Sequence, residues 1–167
     1  MTTRINHLKT LCAATAIAAL GFLPSIADAA TATATFNVTA TVQATCLISG
    51  NNLGFGTYTG SAIAATTTVS VTCTNGTTYN VGMNAGTASG ATVSTRAMTG
   101  PGSATLSYAL YQDAGHTTNW GQTVGTDTKS GTGNGSAQTV TVYGQLAASQ
   151  YPSPGSYSDT ITATITY

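Results

Sequence analysis

Charge is almost absent from this sequence. Of its 167 residues, four are Lys or Arg and four are Asp or Glu, all of the acids being aspartates, and the formal net charge is zero. Beyond the first 29 residues only Arg96, Lys129, Asp113, Asp127 and Asp159 carry charge. No basic face exists for nucleic acid and no polybasic patch for anionic lipid. Thr, Ser, Gly and Asn supply the polarity instead, so little on the surface titrates. Such a surface also lacks the repulsion that keeps proteins apart, which suits a chain that packs closely against copies of itself. Histidine is scarce too. His116 lies near Asp113, with Asp127 further on, but no nucleophile elbow accompanies them, and a solvated loop histidine is the expectation over a Ser-His-Asp constellation. No catalytic residue, cofactor or metal site is expected.

Long hydrophobic runs are also missing. The longest, Leu11 to Leu23, follows the positive residues Arg4 and Lys9 and precedes Pro24 and Ala27-Asp28-Ala29. As a helix it would reach roughly 20 Å, short of a bilayer's roughly 30 Å. Charge, apolar core and small-x-small order read as a secretory signal over residues 1–29, with cleavage after Ala29. Cys12 falls inside it and is discarded. Two cysteines remain, Cys46 and Cys73. An exported chain with an even count is expected to join them in a disulfide, stabilising by roughly 3.5 kcal/mol on the loop-entropy picture. Neither has His or acidic neighbours at ligand spacing, so a metal pair is a poor alternative.

Helical periodicity is absent after the signal, and period two takes its place. Ala32, Ala34, Phe36, Val38, Ala40, Val42, Ala44 and Cys46 alternate with Thr33, Thr35, Asn37, Thr39, Thr41, Gln43 and Thr45. That pattern predicts an extended strand with one apolar face. It stands at the start of the mature chain, so a free end carries a long sticky strand. Further strands are predicted at Leu53–Thr59, at Thr67–Thr74 with Val69, Val71 and Cys73 on one face, and at Tyr79–Asn84 after an Asn75-Gly76 turn. Residues 85–104 hold at most a short strand near Ala97-Met98. Thr105–Gln112 places Leu106, Tyr108 and Leu110 inward. Trp120-Gly121 opens a low-complexity stretch to Ser136, read as a mobile loop. Gln138–Leu146 alternates through Val140 and Val142. After Pro152, Pro154 and Gly155, a last strand carries Tyr157, Ile161, Ala163, Ile165 and Tyr167 on one face.

The fold class is therefore all-β, a sandwich or barrel. An immunoglobulin-like sandwich needs about seven strands, and the chain after Ala44 supplies about six. A missing strand leaves a groove with two unpaired edges, which a strand from another molecule repairs by donor-strand complementation. The opening strand has the form of such a donor. Burying Phe36, Val38 and Val42 would contribute roughly 5 to 8 kcal/mol before ordering costs. The competing reading folds that strand back on its own domain.

Three stretches resemble the spore coat protein U domain, the module of archaic chaperone–usher pilus subunits. They are the alternating leader ending in Ala44-Thr45-Cys46-Leu47-Ile48, then Arg96-Ala97-Met98 with Leu106 to Asp113 and Trp120-Gly121, and finally Val142-Tyr143-Gly144 with Pro154 to Thr160 and the Ile161 to Tyr167 strand. After the signal peptide (1–29) and the donor strand (30–43) read above, the resemblance implies an incomplete immunoglobulin-like domain (44–167). It implies a periplasmic chaperone that caps the groove, an outer-membrane usher, and a neighbouring subunit that then replaces the chaperone. Donor residues carry over to Ala32, Ala34, Phe36, Val38, Ala40 and Val42, the disulfide to Cys46 and Cys73, and a chaperone-facing edge to Ile161, Ala163, Ile165 and Tyr167. Three of the six donor positions are alanines, so affinity is expected to rest on Phe36, Val38 and Val42. A shaft subunit of a pilus at the cell surface, supporting adhesion or biofilm formation, is the expected role.

Rival readings are a coat protein exported by the same kind of pathway, a small outer-membrane β-barrel, and an ice- or sugar-binding face. The barrel lacks aromatic girdles, and several of its strands would be shorter than the roughly 9 to 11 residues needed to span. The row Thr160, Thr162, Thr164 and Thr166 reads as a polar outer strand face, and Tyr111 and Tyr143 as packing aromatics.

Overall fold

The computed structural model describes residues 28–167. Residues 1–27, which carry nearly all of the expected signal, lie outside the described residues. The chain divides into two units after Thr39. In the described part of the first unit, residues 28–39, there is no helix or strand, and every residue is exposed.

The second unit, Ala40–Tyr167, is all-β. Its eight strands are β1 (Cys46–Gly50), β2 (Ile63–Cys73), β3 (Thr78–Met83), β4 (Arg96–Thr99), β5 (Thr105–Tyr111), β6 (Lys129–Thr132), β7 (Ala137–Leu146) and β8 (Ala163–Thr166). They form two antiparallel sheets. One has five strands in the order β1-β2-β7-β5-β4, and the other three in the order β6-β3-β8.

Alternation decides what goes inside. Val69, Val71 and Cys73 of β2, Tyr79, Val81 and Met83 of β3, and Leu106, Tyr108 and Leu110 of β5 are all buried, as period two predicts. Val142 and Leu146 of β7 join them. The residues between them point outward. Tyr111 and Tyr143 face each other across β5 and β7, and Thr160, Thr162, Thr164 and Thr166 form an exposed row. Cys46 and Cys73 are bonded, with Cα atoms 4.1 Å apart, at directly opposed positions of β1 and β2.

Five expectations need correction. The chain after Ala44 supplies eight strands rather than about six, because β1, β4 and β6 are short strands with little apolar alternation to announce them. Residues 32–45 form no strand in the single chain: Thr45 O accepts from Thr74 N–H (2.9 Å), but the ladder itself begins only at Cys46. Leu53–Thr59 forms no strand either. Its alternate residues Leu53 and Phe55 pack against the core, but its backbone has no ladder partner. The stretch from Trp120 to Ser136 is not a free loop. Trp120 is fully buried, its main-chain N–H donating to Leu110 O (2.9 Å) and its indole N–H to Val81 O (2.8 Å). Within the same stretch, β6 pairs with β3. The last strand is shorter than its alternation, since Tyr157 to Thr162 precede the ladder of β8.

Trp120 thus bonds to both sheets, and Arg96 works beside it. Arg96 is fully buried. Its Nε donates to Asn84 O (2.8 Å), Nη1 to Val93 O (2.6 Å), and Nη2 to Met83 O (2.9 Å) and Trp120 O (2.6 Å). A guanidinium's fixed fork of donors suits this work: it gathers four carbonyls that end strands and loops. Burial draws its pKa below the ordinary arginine value. Arg96→Met, which keeps much of the volume but strands those carbonyls, is expected to lower unfolding free energy by at least about 3 kcal/mol. Urea denaturation of the purified protein measures it, and a loss under about 1 kcal/mol would show the clamp to be dispensable.

Candidate interface groove

Two strands border an open seam. β1 is the terminal strand of the larger sheet and pairs only with β2. β8 is a terminal strand of the smaller sheet and pairs only with β3. The two strands lie near each other but share no ladder. Where β1 ends and β8 begins, at Gly50 and Ala163, a groove of about 510 Å³ opens between the sheets. Gly50, Leu53 and Phe55 line one wall, Ile161 and Ala163 the other, and Val69, Met83, Leu110 and Val142 the floor.

The wall on the β1 side carries an unusual segment. The backbone of residues 52–59 makes no hydrogen bond to any described residue; the neighbouring bonds are Asn51 N–H to Thr68 O (3.0 Å) and Ser149 N–H to Gly60 O (2.8 Å). Yet Leu53 and Phe55 are half-buried, Phe55 lying 6.1 Å from Tyr108 by ring centroids. Both reach β7 at Gly144, where an added Cβ would come within 2.6 Å of Leu53 Cδ2. The segment is anchored by side chains while its main-chain donors and acceptors stay open.

The other wall is fixed by a polar cluster at Asp159. Its Oδ1 accepts from Thr87 N–H and Thr87 Oγ1 (2.7 Å each) and from Thr160 N–H (2.7 Å). Its Oδ2 accepts from the Tyr108 hydroxyl (2.7 Å). Asn84 Oδ1 adds a bond from Thr162 N–H (2.9 Å). Gly86 is at φ +85°, and any Cβ there would overlap the Asp159 carboxylate, so the close approach demands glycine. Burial pushes the Asp159 carboxyl up, but the bonds from Thr87 and Tyr108 outweigh it and hold the pKa below the ordinary aspartate value. Burial and the bond to Asp159 both push the Tyr108 phenol well above its usual range. Sequence reasoning placed Tyr108 in the core but missed this cluster. Thr87 and Asp159 are 72 residues apart, and no local pattern announces them.

The sequence-derived candidates distribute as follows. Ala32, Ala34, Ala40 and the large donor residues are exposed, Phe36, Val38 and Val42 at 85, 84 and 81 %. Ile161 and Ala163 line the groove, Ile165 packs against the core, and Tyr167 is exposed. His116 stands edge-on to Tyr111 at 5.2 Å. The Asp113 carboxylate does not bond to its ring; the Asp113 main-chain O accepts from His116 N–H (3.1 Å). Backbone N–H groups of Thr118 and Thr117 and the Thr117 hydroxyl occupy that carboxylate, holding its pKa down to about 2. Among the described residues, no group of three His, Cys, Asp or Glu side chains is placed to hold a metal ion.

A family profile described as Spore Coat Protein U domain matches residues 32–164. Protein U of Myxococcus xanthus is 38 % identical over 98 % of this chain and 100 % of its own length. The chain belongs to the Spore Coat Protein U domain family. Among solved structures, similarity extends to a chain in the crystal structure of the CsuC-CsuE chaperone-tip adhesion subunit pre-assembly complex, from archaic chaperone-usher Csu pili of Acinetobacter baumannii. The TM-score is 0.58 at 20 % identity, covering 76 % of this chain and 41 % of that one. At that identity the likeness concerns the sandwich fold, and this chain spans well under half the length of that neighbour.

The Asp159 cluster carries a pH signature. Because its folded pKa lies below the unfolded value of about 3.9, its stabilisation is complete at higher pH and drains away as pH falls through the folded value. Asp159→Asn is expected to be less stable than the parent at pH 7, with the difference shrinking below about pH 3.9. Thermal melts across pH 2–7 test this. A difference that persists unchanged to the acid end would contradict it.

Proposed function

We propose that this chain is a structural, non-enzymatic subunit of a cell-surface fibre, a pilus of the archaic chaperone–usher kind, assembled by donor-strand exchange. The opening segment of one copy enters the groove of the next. Ala32, Ala34, Phe36, Val38, Ala40 and Val42 face the floor, while main-chain bonds run to the edge of β8 and to the open backbone of residues 52–59. Before assembly a periplasmic chaperone supplies the strand along the edge ending in Ile161, Ala163, Ile165 and Tyr167. An outer-membrane usher then exchanges it for the incoming subunit. The fibre reaches the cell surface and serves adhesion or biofilm formation.

The observation that carries this reading is the pairing of opposites within one chain. A groove of about 510 Å³ lies between the segment that follows β1 and the segment that leads into β8, two strands each paired on one side only, and Phe36, Val38 and Val42 lie exposed in an alternating apolar segment. Large apolar side chains left in water are costly, and so is an unpaired sheet edge; one strand insertion relieves both. Membership of the family, and a fold shared with a chain from a chaperone-subunit complex, support the same assignment. A second reading has its own support. The similarity to Protein U within a family named for spore coats favours a coat layer as the assembled form. The strand exchange would be the same in either.

Two variants test the exchange together. Deleting residues 30–42 is expected to leave a chaperone-bound subunit that no longer extends a polymer. Appending residues 31–44 behind Tyr167 through a short linker is expected to give a monomer with a higher melting temperature. Unboiled gel ladders and melting curves read the outcome. Polymers from the deletion, or no thermal gain in the fusion, would overturn the assignment.

A further inference from the structure

We infer that the cleft between the Tyr58–Gly60 turn and the Gln150–Tyr157 segment is a saccharide site that takes one neutral pyranose ring. The cleft encloses about 310 Å³, at the small end of the range for ligand sites. Its apolar lining comes from Tyr58, Leu106, Tyr151, Pro152, Pro154 and Tyr157. It shares Tyr157 with the lining of the strand groove, but its argument does not depend on strand exchange.

The walls are fixed in advance. Tyr58 donates its hydroxyl to Ala147 O (2.7 Å) and accepts from Gln150 N–H (3.1 Å). Tyr157 donates to Ser153 O (2.6 Å). The Gln150 side chain pairs with the Ser107 backbone in both senses, Oε1 accepting from N–H (2.7 Å) and Nε2 donating to O (2.9 Å). Ser149 sits at φ 63°, a left-handed conformation uncommon for serine, and bonds to Gly60 O. Rings anchored at their polar tips present fixed apolar faces, so little ordering cost remains when a ligand arrives.

Tyr151 is the exception. It is 85 % exposed, and its hydroxyl has no partner among the described residues. Its ring rests against Gly60, where an added Cβ would lie 3.3 Å from Cε1 and where φ is +91°. A bare aromatic ring with a free hydroxyl thus flanks a rigid aromatic cleft. No charged side chain lines the cleft, so a phosphate, carboxylate or ammonium group would find no counter-charge there. The fitting ligand combines an apolar face with several hydroxyls and no charge, which is a neutral pyranose. Its C–H face stacks on the tyrosine rings, and its hydroxyls meet the Tyr151 O–H and the spare lone pairs of the Tyr157 oxygen.

Saturation-transfer NMR on the full chain tests the assignment, with methyl β-glucoside, methyl α-mannoside, methyl β-galactoside and N-acetylglucosamine as probes. At least one is expected to bind, with transfer strongest to its ring C–H protons. Tyr151→Ala is expected to weaken that binding about tenfold with an unchanged melting temperature, since Tyr151 is exposed and makes no hydrogen bond to a described residue. Tyr143→Ala, on the outer face of β7, is expected to leave binding unchanged. No binding by any probe below about 10 mM would overturn the inference. So would binding indifferent to Tyr151→Ala, or an octaproline peptide that binds more tightly than every sugar, which would mark a polyproline groove instead.

Discussion

A sandwich must satisfy the main-chain groups along the seam where its two sheets meet, and this one leaves a seam unfilled. Its β1 side is stapled to β2 by Cys46–Cys73 and pinned to β7 by Leu53 and Phe55. Its β8 side is tied to the turn after β3 by Asn84, Thr87 and Asp159. Each wall is therefore held from behind. Neither has to lean on the other to keep its shape, so the groove between them stays open. A fold built this way carries a hydrogen-bond deficit along the groove.

The near-absence of charge belongs to the same design. A surface of Thr, Ser and Gly offers no long-range repulsion to an approaching copy. Among the described residues Arg96, a fully buried cation, forms no ion pair and acts instead as a four-way clamp on carbonyls. Together with Trp120, which bonds to β3 and β5 from between them, it holds the sheets together at β3, β4 and β5. The sandwich is thereby braced without relying on closure of the seam between β1 and β8.

Much of the fold was legible because burial follows period two. The inward sets Val69-Val71-Cys73, Tyr79-Val81-Met83 and Leu106-Tyr108-Leu110 could be read directly, and so could the cysteine pair. What escaped had physical causes. Lys129–Thr132 pairs as β6 with no apolar alternation, since Lys-Ser-Gly-Thr sits at a sheet edge where only backbone bonds matter. Leu53–Thr59 has strand-like side chains but no ladder, because a ladder needs a partner that the sequence of one segment cannot supply. Trp120 looked like the start of a loop. Its burial depends on contacts with Val81 and Leu110, which are distant in sequence. The Asp159 cluster was hidden for the same reason. In the groove itself, Ile161 and Ala163 were legible from alternation, whereas Gly50, Leu53 and Phe55 emerged only once β1 was seen at the sheet edge.

Amide hydrogen exchange tests the central claim most directly, because it reports the backbone bonds at the seam one segment at a time. In unassembled subunits the amides of residues 32–42 and 52–58 are predicted to exchange rapidly. In the polymer, both segments and the free edge of β8 are predicted to become protected together. Equal protection of these segments in both forms, or protection of residues 32–42 within a monodisperse monomer, would contradict the account.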